Sequence, residues 1–335
     1  MTLPPDHPAI VAPRIGVLLI NLGTPDAADT RAVRRYLAEF LSDRRVVELP
    51  RIAWQPILRG IVLTTRPRKS AHAYAQVWRE DGSPLAAFTR LQAHGLQGAF
   101  GPGVVVDWAM RYGNPSIGDR LAAMKTAGCE RILLAPLYPQ YCAATTATAN
   151  DKAFAALAGM RWQPAIRTLP PYHDDPLYIA ALRDRLQAEI AALPFVPDAL
   201  VASFHGMPRR TLALGDPYHC HCQKTARLLS LEMGRELTVA FQSRFGPAKW
   251  LGPATDETLA RLAGEGTRRV AIFAPGFSAD CLETLEELSI RGRETFLAAG
   301  GTDFAYLPCL NDSEPGIAML RGILSRELAG WIDAA

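Results

Sequence analysis

The chain has 335 residues, of which 49% are hydrophobic and 21% charged, a balance that supports a packed core and excludes a disordered chain. Against 36 basic residues stand 33 acidic ones, and a formal charge of +3 leaves no electrostatic footprint for nucleic acid. At roughly 150 residues per domain, the length suits about two domains. Apolar, β-branched runs follow one another at residues 17–22, 104–110, 132–137, 200–204, 237–241 and 270–273, each closing on turn residues and leading into a helical pattern. Buried parallel strands read as such continuous runs, so the alternation predicts α/β layers with helices on both faces. In sheets of this kind ligands sit at the carboxyl ends of the strands.

Two halves are visible. The run from Val17 closes on Gly23-Thr24-Pro25, and the run from Ala199 closes on Gly206-Met207-Pro208. Leu134-Ala135-Pro136 and Phe273-Ala274-Pro275 also end strands, and each proline is followed six residues later by a cysteine, Cys142 and Cys281. Duplication explains the pairing, and so does the ordinary habit of strand ends to carry Gly and Pro. The proline-containing stretch 163–176 predicts a boundary, giving units 1–168 and 169–335. No apolar run reaches the ~18 residues of a membrane span, and the start shows no secretory signal, so a cytoplasmic protein is expected. An apolar stretch at 50–65, followed by Arg66, Arg68 and Lys69, is either core or an amphipathic lip that touches a pocket mouth or a membrane surface.

The sequence contains no G-x-x-x-x-G-K-[ST], no G-x-G-x-x-G after a strand, no H-E-x-x-H and no G-x-S-x-G, which removes the usual support for nucleotide, dinucleotide, zincin and hydrolase chemistry. His205 directly follows a buried-looking strand, where a neutral imidazole can accept a proton, hold a metal, or simply serve the fold. If a helix starts near Phe277, then Asp280, Glu283 and Glu287 share one face, as a dipole-complementing first turn or as a row of oxygen ligands and proton acceptors. His219-Cys220-His221-Cys222 is the densest group of soft ligands, although Cys-x-Cys is tighter than common zinc spacing. Six cysteines are too few for a disulfide scaffold; with Cys142 and either Cys281 or Cys309, this group could hold an iron–sulfur cluster or remain free thiols.

These residues resemble the bacterial ferrochelatases. The likeness runs from about Ile15 to Asn311, through Asn21-Leu22-Gly23-Thr24-Pro25, Asp81-Gly82-Ser83-Pro84-Leu85, Met110-Arg111-Tyr112 and Tyr138-Pro139-Gln140-Tyr141. It continues through Ser203-Phe204-His205-Gly206-Met207-Pro208 with Gly215-Asp216-Pro217-Tyr218, Gln242-Ser243-Arg244 with Trp250-Leu251-Gly252-Pro253, and Glu283-Thr284-Leu285. The resemblance implies two similar doubly wound, Rossmann-like chelatase domains facing across a cleft. It implies insertion of ferrous iron into protoporphyrin IX to give haem b, with His205 the essential histidine and Glu283 its acidic partner on the opposite wall, both meeting the substrate iron. Asp280 and Glu287 stand behind Glu283 as a relay. Tyr138, Arg111, Tyr74, Ser83, Phe277 and Trp250 fall at pocket positions, with Leu22 where some members have methionine and Cys281 where others have a second histidine.

Some members carry a 2Fe-2S cluster, for which Cys142, Cys220 and Cys222 with Cys281 or Cys309 are the available ligands. The implied partners are porphyrin, ferrous iron and a membrane surface, on a monomer or homodimer lying in the cytoplasm or peripherally on the inner membrane. Related alternatives are a chelatase for coproporphyrin with iron or sirohydrochlorin with cobalt, and a porphyrin or haem carrier without turnover.

Overall fold

A computed structural model describes residues 4, 6, 7, 11–246 and 248–332; the outer ends of the two expected units, 1–3 and 333–335, lie outside it. Strands β1 (Arg14–Thr24), β2 (Val104–Gly113), β3 (Cys129–Pro136) and β4 (Ala165–Thr168) form one parallel sheet in the order β2-β1-β3-β4. Strands β5 (Ala199–His205), β6 (Thr238–Gln242), β7 (Arg269–Phe273) and β8 (Asp303–Tyr306) form a second in the order β6-β5-β7-β8. The second sheet repeats the topology of the first. The strand ends paired in the sequence, β1 with β5 and β3 with β7, therefore occupy equivalent places in the two sheets.

Two strands escape the sequence reading. β4 and β8 are four residues each, lie at sheet edges and are largely half-exposed, so neither carries the unbroken apolar run of a central strand. In the central strands each run feeds two cores because successive side chains point to opposite faces. Val17 and Leu19 pack into a large core shared with Leu200, Ala202, Phe204 and Phe273 of the second sheet. Leu18 and Ile20 face the other way, against Ile117, Leu121 and Met124, while Val201 and Ile272 meet Leu259, Leu288 and Phe296. Side chains also stitch the halves: Gln92 donates to the carbonyls of Ser278 (3.0 Å) and Asn311 (2.9 Å), and Ser278 donates to Leu137 (2.9 Å).

The apolar stretch expected at 50–65 is the start of a longer helical arm, Arg51–Ile57, a wide turn Leu58–Val62, and Leu63–Val77, with Pro56 and Pro67 inside it. Each proline removes one backbone donor, which fits the departure from regular α geometry. Leu58, Leu63, Ala71 and Tyr74 are buried, whereas Ile52 (92% exposed), Ile57 and Ile61 face outward. The arm is thus amphipathic, with one face in the core and the other exposed. Across the gap, the guanidinium of Arg66 lies 4.7 Å from the ring centre of Phe245 in the second half.

Candidate active site

In each sheet the strand order reverses between the first and third strands, and such switch points open a crevice at the carboxyl ends. β5 ends on His205; β7 is followed by a loop carrying Phe277, Asp280 and Cys281, then by a wide-turned helix, Glu283–Gly292. In the first sheet Leu22 lies near the end of β1, and Tyr138 follows β3. Leu22, Tyr138, His205, Phe277 and Glu283 are all half-buried, as residues lining an open cleft must be.

The orientation of His205 is set by one bond. Its Nδ1 lies 2.7 Å from the Gly206 carbonyl oxygen, which only accepts, so Nδ1 carries the proton and Nε2 of the neutral ring keeps a bare lone pair. Gly206 is tied to the neighbouring strand, its N–H donating to the Gln242 carbonyl at 2.7 Å. A Cβ at Gly206 would stand 2.5 Å from that oxygen and 3.4 Å from the Trp250 ring, so only glycine allows this approach. Trp250 bridges to Pro208 and donates from Nε1 to the Phe245 carbonyl (3.1 Å). Phe277 lies 6.5 Å from the His205 ring, centre to centre.

Glu283 is reached through Gln242, the residue paired with His205 in the β5–β6 register. The Gln242 carboxamide donates to the Glu283 carbonyl at 3.0 Å, while its oxygen accepts from Ser203 at 2.7 Å. The carboxylate itself faces the first half of the chain. Burial, and then the charge of Glu283, hold the phenol of Tyr74 well above its ordinary range, and the same charge acts on Tyr36. Leu22 and Phe277 pack with Met110, Leu85 and Cys281 in one apolar cluster. The structure thus brings Leu22, Tyr74, His205, Phe277 and Glu283 into one neighbourhood, with Trp250 beside the His205 turn.

The acidic row differs from the expectation of one helical face. The helix begins at Glu283 with Leu282 as its cap, so Asp280 precedes it. Asp280 is buried and accepts hydrogen bonds from Thr284 (2.8 Å), Asn311 (2.6 Å) and Tyr306. Glu287 is held by the Ser243 N–H (2.8 Å) and hydroxyl, with Arg291 3.8 Å away.

Two other expected pocket residues are engaged in structural contacts. Arg111 pairs with Asp43 and donates to Thr148, and Ser83 caps the helix Pro84–Phe100 by accepting from Ala86 N–H at 3.3 Å. The Tyr138 hydroxyl is buried with no hydrogen-bond partner. Near the start of the arm a recess of about 670 Å³ is lined by Arg44, Arg45, Glu48, Asp151 and Arg210. Leu49, Pro50 and Ala143 complete its lining.

Among the described residues the cysteines are not gathered into a set of four that would hold the expected 2Fe-2S cluster. Such a cluster needs four thiolates around one core. Cys220 is exposed; Cys142 and Cys222 are buried near Asp216, whereas Cys281 and Cys309 are buried around Asp280. Burial pushes all five buried thiols up. Among the described residues no group of three or more His, Cys, Asp or Glu side chains is disposed to hold a metal. The densest soft-ligand motif is instead taken apart by its helix: His219 stacks on Phe241, and His221 on His173.

The family model for ferrochelatase matches residues 14–328. The chain belongs to the ferrochelatase family. It is 57% identical to the ferrochelatase of Rhizobium meliloti (strain 1021) and 54% identical to that of Agrobacterium fabrum, in each case over 98% of both chains. As a ferrochelatase-family member it is a lyase that inserts iron into a porphyrin. Among solved structures, the fold is similar to SirB from Bacillus subtilis with Fe3+ (TM-score 0.58, 14% identity, 95% of this chain and 97% of that one). It is also similar to a sirohydrochlorin chelatase SirB in complex with cobalt (TM-score 0.54, 13% identity, 95% and 97%). At that identity the likeness is one of fold, and it is the two-domain chelatase architecture expected from the sequence.

Residues that the sequence reading left without a role include Gln242, Ser243, Asn311 and Tyr36. Gln242 and Ser243 were visible at the end of an apolar run, the place where ligands of such sheets sit, but their partners are 41 and 44 residues away.

Proposed function

We propose that the enzyme inserts ferrous iron into protoporphyrin IX to form haem b, with His205 as the base that takes pyrrole protons. The observation that carries this reading is the Nδ1 bond of His205 to its neighbour's carbonyl, which leaves Nε2 free to accept a proton at the cleft. A free-base porphyrin keeps two N–H protons inside a rigid ring, and iron enters only when the ring buckles and those protons leave. Leu22 and Phe277 supply apolar walls that can favour the bent ring, since catalysis needs tighter binding of the distorted geometry than of the flat one. The negative charge of Glu283 draws the divalent cation to the same ring and compensates the positive charge that builds on His205. Tyr138 offers its unpaired hydroxyl to the substrate, and Arg111 acts from its ion pair by holding the wall.

We assign the two units as 1–168 and 169–335. The protein works in the cytoplasm and touches the membrane surface through Ile52, Ile57 and Ile61, with Arg68 and Lys69 exposed farther along the arm. No helix of the described residues is long and apolar enough to cross a membrane. Flotation with liposomes containing anionic lipid tests the contact; protein that stays at the bottom of the gradient removes it.

The test of the reaction is anaerobic incubation with ferrous iron and, separately, free-base protoporphyrin IX, coproporphyrin and sirohydrochlorin. Loss of the free-base bands with protoporphyrin IX alone is the expected result. His205→Ala should stop insertion and leave porphyrin binding in place, and normal turnover by that variant would overturn the assignment of the base.

A further inference from the structure

The carboxyl end of β6 touches the helix of Glu283 twice. Gln242, 2% exposed, donates through its carboxamide to the Glu283 carbonyl at 3.0 Å, and its oxygen is itself fixed by the Ser203 hydroxyl at 2.7 Å. Ser203 is also 2.8 Å from the Thr255 hydroxyl, so Gln242 has one rotamer available rather than several. The next residue, Ser243, holds the Glu287 carboxylate with both its N–H and its hydroxyl. To do so it adopts φ +64°, a left-handed conformation unfavourable for serine. Two adjacent residues thus grip the helix at points four residues apart, about one turn. The gripped segment is a wide-turned helix, a rare form that occurs most often at functional sites.

We propose that Gln242 and Ser243 are positioning residues that fix the Glu283 carboxylate opposite His205, with Glu287 as the anchor they grip. His205 and Gln242 are register partners at the ends of β5 and β6, so the same strand pair sets both sides of the reaction. The inference rests on the proposed roles of His205 and Glu283. A displacement of about 1 Å in a reacting group can cost up to ~100-fold in rate, which is the scale expected here.

Three variants of the full chain test it: Gln242→Ala, Gln242→Glu and Ser243→Gly. Gln242→Ala should lower kcat about 10- to 100-fold with the KM for porphyrin within about twofold of the parent. Glutamate at this place can donate only when protonated, so the kcat of Gln242→Glu relative to the parent should rise as pH falls, a recovery that Gln242→Ala lacks. Ser243→Gly relieves the strained φ, so its Tm should hold or rise while kcat falls; a purely structural serine would give the opposite pairing. Hydrogen exchange of the backbone amides in 283–292 supplies a readout independent of turnover, with protection in Gln242→Ala expected to drop at least about tenfold. Parent-level kcat together with parent-level protection overturns the clamp. If the parent itself inserts no iron, the reaction assignment fails, and the exchange data alone then decide whether Gln242 and Ser243 hold the helix.

Discussion

The imidazoles of His173 and His221 lie parallel, their ring centres 3.6 Å apart and their planes 5° from each other. The stack joins the segment after β4 to the helix Tyr218–Met233, and His221 Nδ1 also accepts from the Tyr141 N–H at 3.2 Å. Burial, and next the neighbouring His221, lower His173 to about 4; burial also lowers His221. Asp174 stands 3.7 Å from His173 and is itself paired with Lys224, so the rings have little anionic help when they charge. Because the folded state resists protonation and the unfolded chain does not, the stability the pair contributes is present above the ordinary histidine value of 6.5 and is lost as pH falls from there toward about 4. Melting curves from pH 7.5 to 4.5 should show Tm falling in that window by about 2–4 °C more in the parent than in His173→Phe. Superimposable profiles would remove the stack as the cause.

Gly206→Ala tests how closely β5 and β6 must approach at the site. The new methyl would meet the Gln242 carbonyl at 2.5 Å, a backbone atom that cannot swing aside. Denaturant melts should show a loss of about 1–3 kcal/mol, the scale of overpacking. Activity should fall further than stability explains, since the carbonyl of Gly206 itself orients His205.

Removing Arg111 should act on folding first. Its guanidinium and the Asp43 carboxylate are 11% exposed each, and Thr148 and Tyr112 complete the shell around Asp43. Arg111→Met strands a buried charge and should cost about 3 kcal/mol by chemical denaturation. Adding Asp43→Asn should return part of that loss, and a strictly additive double variant would show that the two groups are not coupled.

Protein purified without oxygen should be free of acid-labile sulfide and show no visible bands from a cluster. Cys220→Ser and Cys309→Ser should leave iron insertion within about twofold of the parent, because neither thiol is held with the others around a metal. Stoichiometric sulfide, lost in either variant, would reverse that conclusion.

Much of the architecture was legible because buried parallel strands announce themselves. The runs at 17–22 and 200–204 found β1 and β5, and the paired strand ends anticipated two sheets of one topology. His205 drew notice as a polar residue at the end of such a run, and Glu283 through its helical spacing with Asp280 and Glu287, both within blocks that resemble a known family. The edge strands β4 and β8 were not, since four half-exposed residues carry no periodic signal.

What sequence alone determined is the central strands, the family and the residues bearing imidazole and carboxylate, because local patterning and chemical type are written one residue at a time. Tertiary structure decided which of them can act. It saturated Asp280 with hydrogen bonds, spent Ser83 on a helix cap, dispersed the cysteines and set Gln242 against Glu283, since hydrogen-bond partners dozens of residues apart are chosen by packing and not by spacing.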